Sequence, residues 1–390
     1  MTLAAGAQGP VAAHRDVLVL MTGAFRLGGG IAASNRLVLK ALSDPAQGAA
    51  RLTVLAFNEP IGSRADGAYL DLSRSDWRAF GRRYAAFIAA AWRQALGRQW
   101  DLILVDHVGI ACALAPLARL GLCSYVLMCY RGELTPSDLS PRRRVALFAA
   151  TRRIATSDAT AAYIRERFPT LDAAVSELAI DPETALATPP QTTTLVLANV
   201  AGEQHPIGPR MVLCVGRMER TQRHKGQDVL IRATPAILRR FPDAQIVLAG
   251  GGDWYDELAQ VARAEGVSRS VFLTGFVATD LRDELYGRCA VFAMPSHGEG
   301  FGLVHLEAMR WSKPCIGGAL DSARDLIVDG ETGVLLADPR DSALVAKAIV
   351  DLLSDPQLAA AFGAGGRRRL EERYLFPHFQ ARFYRALGWA

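Results

Sequence analysis

Short runs of consecutive apolar residues recur along this chain, each followed by a turn and a helical stretch. VLVLM (17–21), LTVLAF (52–57), LILV (102–105) and YVLM (125–128) form one set. MVLCV (211–215), QIVLA (245–249), VFLTG (271–275), VFAMP (291–295) and GVLLA (333–337) form another. Unbroken runs of this kind are strands buried on both faces, as in parallel sheets covered by helices. Strand and helix in alternation predict a doubly wound α/β architecture. Between the two sets, DPETALATPPQTTT and GEQHPIGP break the alternation with Pro, Thr and Gly, as a connection between domains does. The 390 residues therefore read as two Rossmann-like domains facing a cleft, 1–195 and 196–373, followed by an aromatic-rich helix, 374–390.

Half of the residues are hydrophobic, enough for two packed cores. The longest apolar stretch near the middle, VGIACALAPLA (108–118), falls short of the ~18 residues of a spanning helix. The N-terminal MTLAAGAQGPVAAHRD lacks the basic and apolar regions of a secretory signal, so the expectation is a soluble cytoplasmic protein. The six cysteines form no C-x-x-C pair and read as buried reduced thiols. Net charge is +5, carried almost wholly by arginine, which permits anionic ligands or a membrane surface.

The stretch MPSHGEGFGLVHLE (294–307) runs from a strand end through a glycine-broken loop into a helix. Gly298, Gly300 and Gly302 allow the backbone to approach a ligand, and the helix that follows offers free N–H groups to a phosphate. Glu299 in the loop and Glu307 in the helix would then hold hydroxyls on either side of it. The plainer reading of Glu307 is a carboxylate favoured by a helix N-terminus. In VGRMERTQRHKGQDVLI, Arg217 and Lys225 occupy the turn after the first strand of the second set, where a guanidinium and an ammonium suit a diphosphate. Two solvated loop cations remain the alternative.

Taken in order, G216-R217…K225-G226, LAGGGDWYDEL (248–258), FLTGFV (272–277) and E299-G-F-G-L-V-H-L-E307 resemble the second domain of the retaining glycosyltransferases of family 4, which have the GT-B fold. The resemblance implies a fold of two Rossmann-like domains, the C-terminal helix crossing back to the first. It implies that Arg217 and Lys225 hold the donor pyrophosphate, Glu307 the ribose, and Glu299 the donor sugar. The backbone of Gly300, Phe301, Gly302 and Leu303 would lie near sugar and phosphate, and Phe276 and Val277 by the base. The gap from Arg217 to Lys225 is longer than the commonest spacing and inserts Arg220 and Arg223, so the phosphate role is open to sharing.

In the first domain RLGGGIAASNR places Gly29 and Gly30 after a strand, where they fit a loop closing on the donor or an ordinary turn. His107, at the end of LILVDH, resembles the family's histidine near the reacting sugar, and Asp106 would orient it or meet the acceptor. The segment 78–98 reads as a helix with five arginines, no acid and interleaved Phe80, Tyr84, Phe87 and Trp92. That fits a membrane-surface element, or a core-packed helix with a solvated basic face.

No D-x-D occurs, and no metal or other cofactor is expected, the cations and helix N-terminus supplying the charge. The expected function is retaining transfer of a hexosyl group from a UDP- or GDP-sugar to a glycan, lipid-linked or small-molecule acceptor, at the inner face of an anionic membrane or free in the cytoplasm. The alternatives are a non-catalytic nucleotide-sugar binder or a nucleotide-sugar epimerase of the same fold. A dinucleotide fingerprint, a P-loop and G-x-S-x-G are all absent, and no motif points to nucleic acid.

Overall fold

The computed structural model describes residues 15–26, 28–44, 50–135, 139–185 and 194–389. Two compact units emerge. The first contains a seven-stranded sheet: β1 Asp16–Met21, β2 Arg51–Ala56, β3 Ser75–Ala79, β4 Leu102–Val105, β5 Val126–Cys129, β6 Arg152–Ala155 and β7 Ala174–Val175, in the order β3-β2-β1-β4-β5-β6-β7. β3 through β6 pair in parallel. Right-handed connections put helix α1 (Gly30–Leu42) on one face. They put α2 (Tyr84–Gly97), α3 (Val108–Ala111), α4 (Ala115–Arg119) and α5 (Pro141–Ala149) on the other. The strand order reverses between β1 and β4, so the loops after these two strands flank the crevice of this sheet.

The second unit begins with a hairpin of β8 Val196–Ala198 and β9 Gln204–Pro206. Its parallel sheet comprises β10 Met211–Val215, β11 Gln245–Ala249, β12 Val271–Leu273, β13 Val291–Met294, β14 Cys315–Gly318 and β15 Gly333–Leu336, ordered β12-β11-β10-β13-β14-β15. Here the reversal falls between β10 and β13, whose residues pair Val212 with Val291 and Leu213 with Phe292.

The units divide elsewhere than at residue 195: Thr156–Tyr163 and Val175–Arg382 group with the second. The buried Glu177 gives one reason, since it accepts from the Tyr374 hydroxyl at 3.2 Å and pairs with Arg373 at 3.3 Å. The last helix spans Phe376–Leu387, and residues from Phe383 onward belong to the first unit, where the Tyr384 hydroxyl donates to the Ala41 carbonyl.

The expected helix over 78–98 is corrected. Ser75–Ala79 is an edge strand paired with β2, its side chains alternating between half-buried and exposed. Gly81 (φ 54°) and Arg82 (φ 65°) then turn the chain, and α2 starts only at Tyr84. Of the five arginines only Arg93 lies inside the helix. Two successive left-handed residues cannot continue a right-handed helix. Among the described residues no helix is long and apolar enough to cross a membrane.

Candidate active site

Because β10 and β13 are neighbours, the turn after one lies against the loop after the other. The His297 N–H donates to the His224 carbonyl at 2.9 Å, tying the two together. Gly226 (φ 73°) passes so close to β13 that a Cβ there would stand 2.3 Å from the Pro295 carbonyl oxygen. On its other side the turn rests on the glycine run 250–252: Met218 N–H donates to the Gly251 carbonyl at 2.9 Å, and a Cβ on Gly250 would stand 2.0 Å from the Gly216 oxygen. Backbone thus moulds the turn, and only glycine permits that approach.

This packing turns the Lys225 ammonium inward, 2.5 Å from Glu299 Oε2, with both side chains largely buried. Burial pushes the Glu299 carboxyl up, but Lys225, with His224 and His305 beyond it, outweighs burial and holds it at about 2. The sequence reading gave Lys225 to phosphate and Glu299 to sugar hydroxyls; the structure brings the two into one ion pair. Arg217 instead points outward, about half exposed, and pairs with Glu219 at 3.2 Å. Arg220 and Arg223 do not share the lysine's position. Arg220 binds Glu257 at 2.5 Å, and Arg223 lies over the Trp254 ring.

Gly302 precedes the helix Leu303–Arg310, whose first turn has no side-chain cap. Phe301 is buried, and the Gly300 carbonyl accepts from the Ser157 hydroxyl at 3.3 Å. Glu307 accepts from the Tyr286 hydroxyl at 2.8 Å and lies 3.9 Å from Arg282. Phe276 is 86% exposed and Val277 half-buried, both just past the bridge between Gly250 and Gly275.

In the first unit, Gly29 (φ 112°) caps α1 and Gly30 opens it, both exposed at the β1 end of the crevice. His107 stands at the β4 end. Its Nδ1 accepts from the Gly109 N–H at 2.9 Å, so the proton sits on Nε2, 3.1 Å from Glu133 Oε2. Glu133 is buried, accepts from the Val108 and Tyr130 N–H groups, and is pushed by burial up to about 8. Asp106 orients loops rather than His107. Buried, it accepts from the Thr22 N–H and hydroxyl and from the Asn35 amide, fastening the β1 turn to β4.

The family described as Glycosyl transferases group 1 matches residues 199–369. A GDP-mannose-dependent alpha-(1-6)-phosphatidylinositol monomannoside mannosyltransferase of Mycobacterium tuberculosis is 34% identical over 271 residues, 65% of this chain and 67% of that one. The chain belongs to this glycosyltransferase family. A like-named enzyme of Mycolicibacterium smegmatis is 35% identical over 173 residues, and the match spans 42% of this chain and only 44% of the relative. The crystal structure of Anabaena Alr3699/HepE in complex with UDP and glucose superposes with a TM-score of 0.73 at 21% identity, covering 96% of this chain and 100% of that one. That likeness is one of fold, GT-B.

Sequence reasoning about this glycosyltransferase missed the groups that hold the glutamate loop. Asp321, fully buried, accepts from the Ser296 hydroxyl (2.5 Å), the Glu299 N–H (2.8 Å) and the Ala323 N–H (2.9 Å). The Ser322 hydroxyl donates to the Glu299 carbonyl at 2.8 Å. Asp321 follows β14, next to β13; asking what stands at every strand end would have found it. His305 is buried with its ring edge-on to Phe292, and burial lowers it to about 4 despite Glu299 nearby.

Proposed function

We propose that this chain is a retaining, metal-independent hexosyltransferase that uses a nucleotide-diphosphate sugar and acts on a lipid-linked hydroxyl. The observation that carries the reading is the Lys225–Glu299 pair at the β10/β13 reversal, beside an uncapped helix N-terminus and with Glu307 on that helix. A cation there neutralises a departing diphosphate, and the helix N–H groups receive its oxygens without a metal ion. Glu299, kept ionised, accepts from sugar hydroxyls once Lys225 turns to phosphate. Glu307 and the exposed Phe276 would serve ribose and base. Arg217, on a mobile-length side chain at the turn's rim, would close on the outer phosphate. In the first unit, Gly29 and Gly30 would keep the donor-binding role, and His107, held in one tautomer, the catalytic role, that the family resemblance implies.

The relatives' printed names make GDP-mannose the first donor to try and a phosphatidylinositol glycoside the first acceptor. Retention without a covalent enzyme intermediate would follow from front-face attack, with the diphosphate taking the acceptor's proton.

A thermal-shift panel with GDP, UDP, ADP and dTDP, with and without EDTA, tests the site. Nucleotide at ~100 times its dissociation constant adds ~2.7 kcal/mol. One nucleotide should stabilise the chain, EDTA should change nothing, and Lys225→Ala should abolish the shift. Turnover of the matching sugar nucleotide then separates transfer from mere binding and from epimerisation. Stabilisation that EDTA removes would overturn the metal-free reading.

A further inference from the structure

Three histidines gather around the Lys225–Glu299 pair, and the chemistry proposed above uses none of them. His224 precedes the lysine in the turn after β10, and His297 stands two residues before the glutamate in the loop after β13. Their rings meet edge to face, centroids 6.3 Å apart. The His224 ring packs on the backbone of Gly298, where a Cβ would come within 3.3 Å of it. His305 lies on the helix Leu303–Arg310 and also acts on the glutamate.

The three are not equivalent. His305 is fully buried, its Nδ1 3.3 Å from the Gly302 carbonyl and its ring against Phe292. His297 is exposed and faces charges of its own: Asp228 on the helix Gln227–Arg240, and Asp338 and Arg340 in the loop after β15. His224 is half-buried, and the groups facing it are Lys225 on its own turn and Glu299 and His297 on the opposite loop. It is therefore the histidine whose surroundings change when a ligand takes the lysine.

In the free chain the pair is neutral, one ammonium against one carboxylate. Burial holds the His224 imidazole below its usual range; Lys225 and His297 act the same way, and Glu299 opposes them. A nucleoside diphosphate brings more negative charge and attracts the ammonium. Glu299 would then be a largely buried carboxylate without its cation, a strongly disfavoured state. A neighbouring imidazole, whose ordinary value is about 6.5, can supply the missing charge.

We propose that His224 is the exchangeable counter-ion of this site: it takes a proton from solvent as a nucleoside diphosphate draws Lys225 away from Glu299, and returns it when the diphosphate leaves. The inference rests on the nucleotide-diphosphate reading given above and supplies what keeps Glu299 paired after the lysine has turned. Its sign is fixed. The imidazole holds its proton more tightly with ligand bound, so the gain in affinity is present at acid pH and is lost as pH rises through the bound-state value.

The test is titration calorimetry of the full chain with GDP and with UDP, each in two buffers of unlike ionisation heat at about pH 7. Binding should take up more protons in the parent than in His224→Gln, by about half a proton or more. From about pH 6.5 to about pH 8.5 the parent Kd should weaken on the order of tenfold more than that of His224→Gln, a comparison in which the nucleotide's own titration cancels. His224→Arg, charged at every pH, should bind without the extra uptake and follow the flatter profile. It carries the comparison alone if the glutamine variant does not fold. His297→Gln should keep the uptake. Equal uptake in the parent and the His224 variants would overturn the inference, as would a Kd raised by one constant factor at every pH, the mark of a merely structural histidine. Either result leaves nucleotide binding, and with it the proposed activity, in place. Absence of binding heat with GDP, UDP, ADP and dTDP alike would overturn the inference together with the reading it rests on.

Discussion

The Lys225 ammonium and the Glu299 carboxylate, 74 positions apart in sequence, meet at 2.5 Å because two neighbouring strands end side by side. Each is the other's counter-ion before any ligand arrives. On the function proposed above, a diphosphate entering the site would compete with Glu299 for the lysine.

Removing that competition separates binding from transfer. Glu299→Gln should leave nucleotide diphosphate affinity equal or higher, since one negative charge has gone. It should lower transfer by on the order of 100-fold, since a carboxylate acceptor for the sugar has gone too. Calorimetry with the nucleotide and a turnover assay read the two effects. A parallel fall in both would refute the division of roles.

The main-chain mould around the turn predicts a sharp glycine requirement. Gly250→Ala places a methyl where the Gly216 oxygen lies 2.0 Å away, so the turn must shift. We expect a loss of at least about 2 kcal/mol in the second unit and weaker nucleotide binding. Gly30→Ala, with no atom within 4 Å of the new carbon, serves as the tolerant control for stability.

Asp321→Asn keeps the shape but points an amide at N–H and hydroxyl donors. Leaving buried donors unmatched costs about 1–3 kcal/mol. The loop carrying Glu299 should loosen, seen as faster hydrogen exchange over 296–302 and a raised donor KM. Unchanged exchange there would remove Asp321 from the loop's support.

His305 sets an acid-side limit on stability. Its folded value, about 4, lies below its ordinary 6.5, so the unfolded chain binds the proton first. The contribution is therefore complete above about 6.5 and drains away as pH falls toward 4, on the order of 3 kcal/mol in all. Denaturation across that range should show the slope in the parent protein and a shallower one in His305→Gln.

Much of this was legible in the sequence because parallel strands buried on both faces leave unbroken apolar runs, and those runs put Lys225, Glu299 and Glu307 at strand ends. The segment 78–98 was not legible as it folds. Its arginine spacing mimics a helix, and only the pairing of Trp77 with Val54 across β2 and β3 makes the first part a strand. The Lys225–Glu299 contact was hidden for another reason. Strand order, not sequence distance, decides which loops touch, and order is a property of the whole sheet. Nor could composition reveal that Asp106 and Asp321 fasten loops, since exposed and buried acids look alike in a string of letters.

The edges of the first sheet bear on how this protein behaves when concentrated. On one side β3 alternates half-buried residues with the exposed Asp76 and Arg78, and on the other β7 is two residues long. A neighbouring chain seeking to add a strand would meet charge at one margin and almost no ladder at the other. Growth of this sheet from chain to chain is therefore disfavoured at both margins, and association by added strands should not occur.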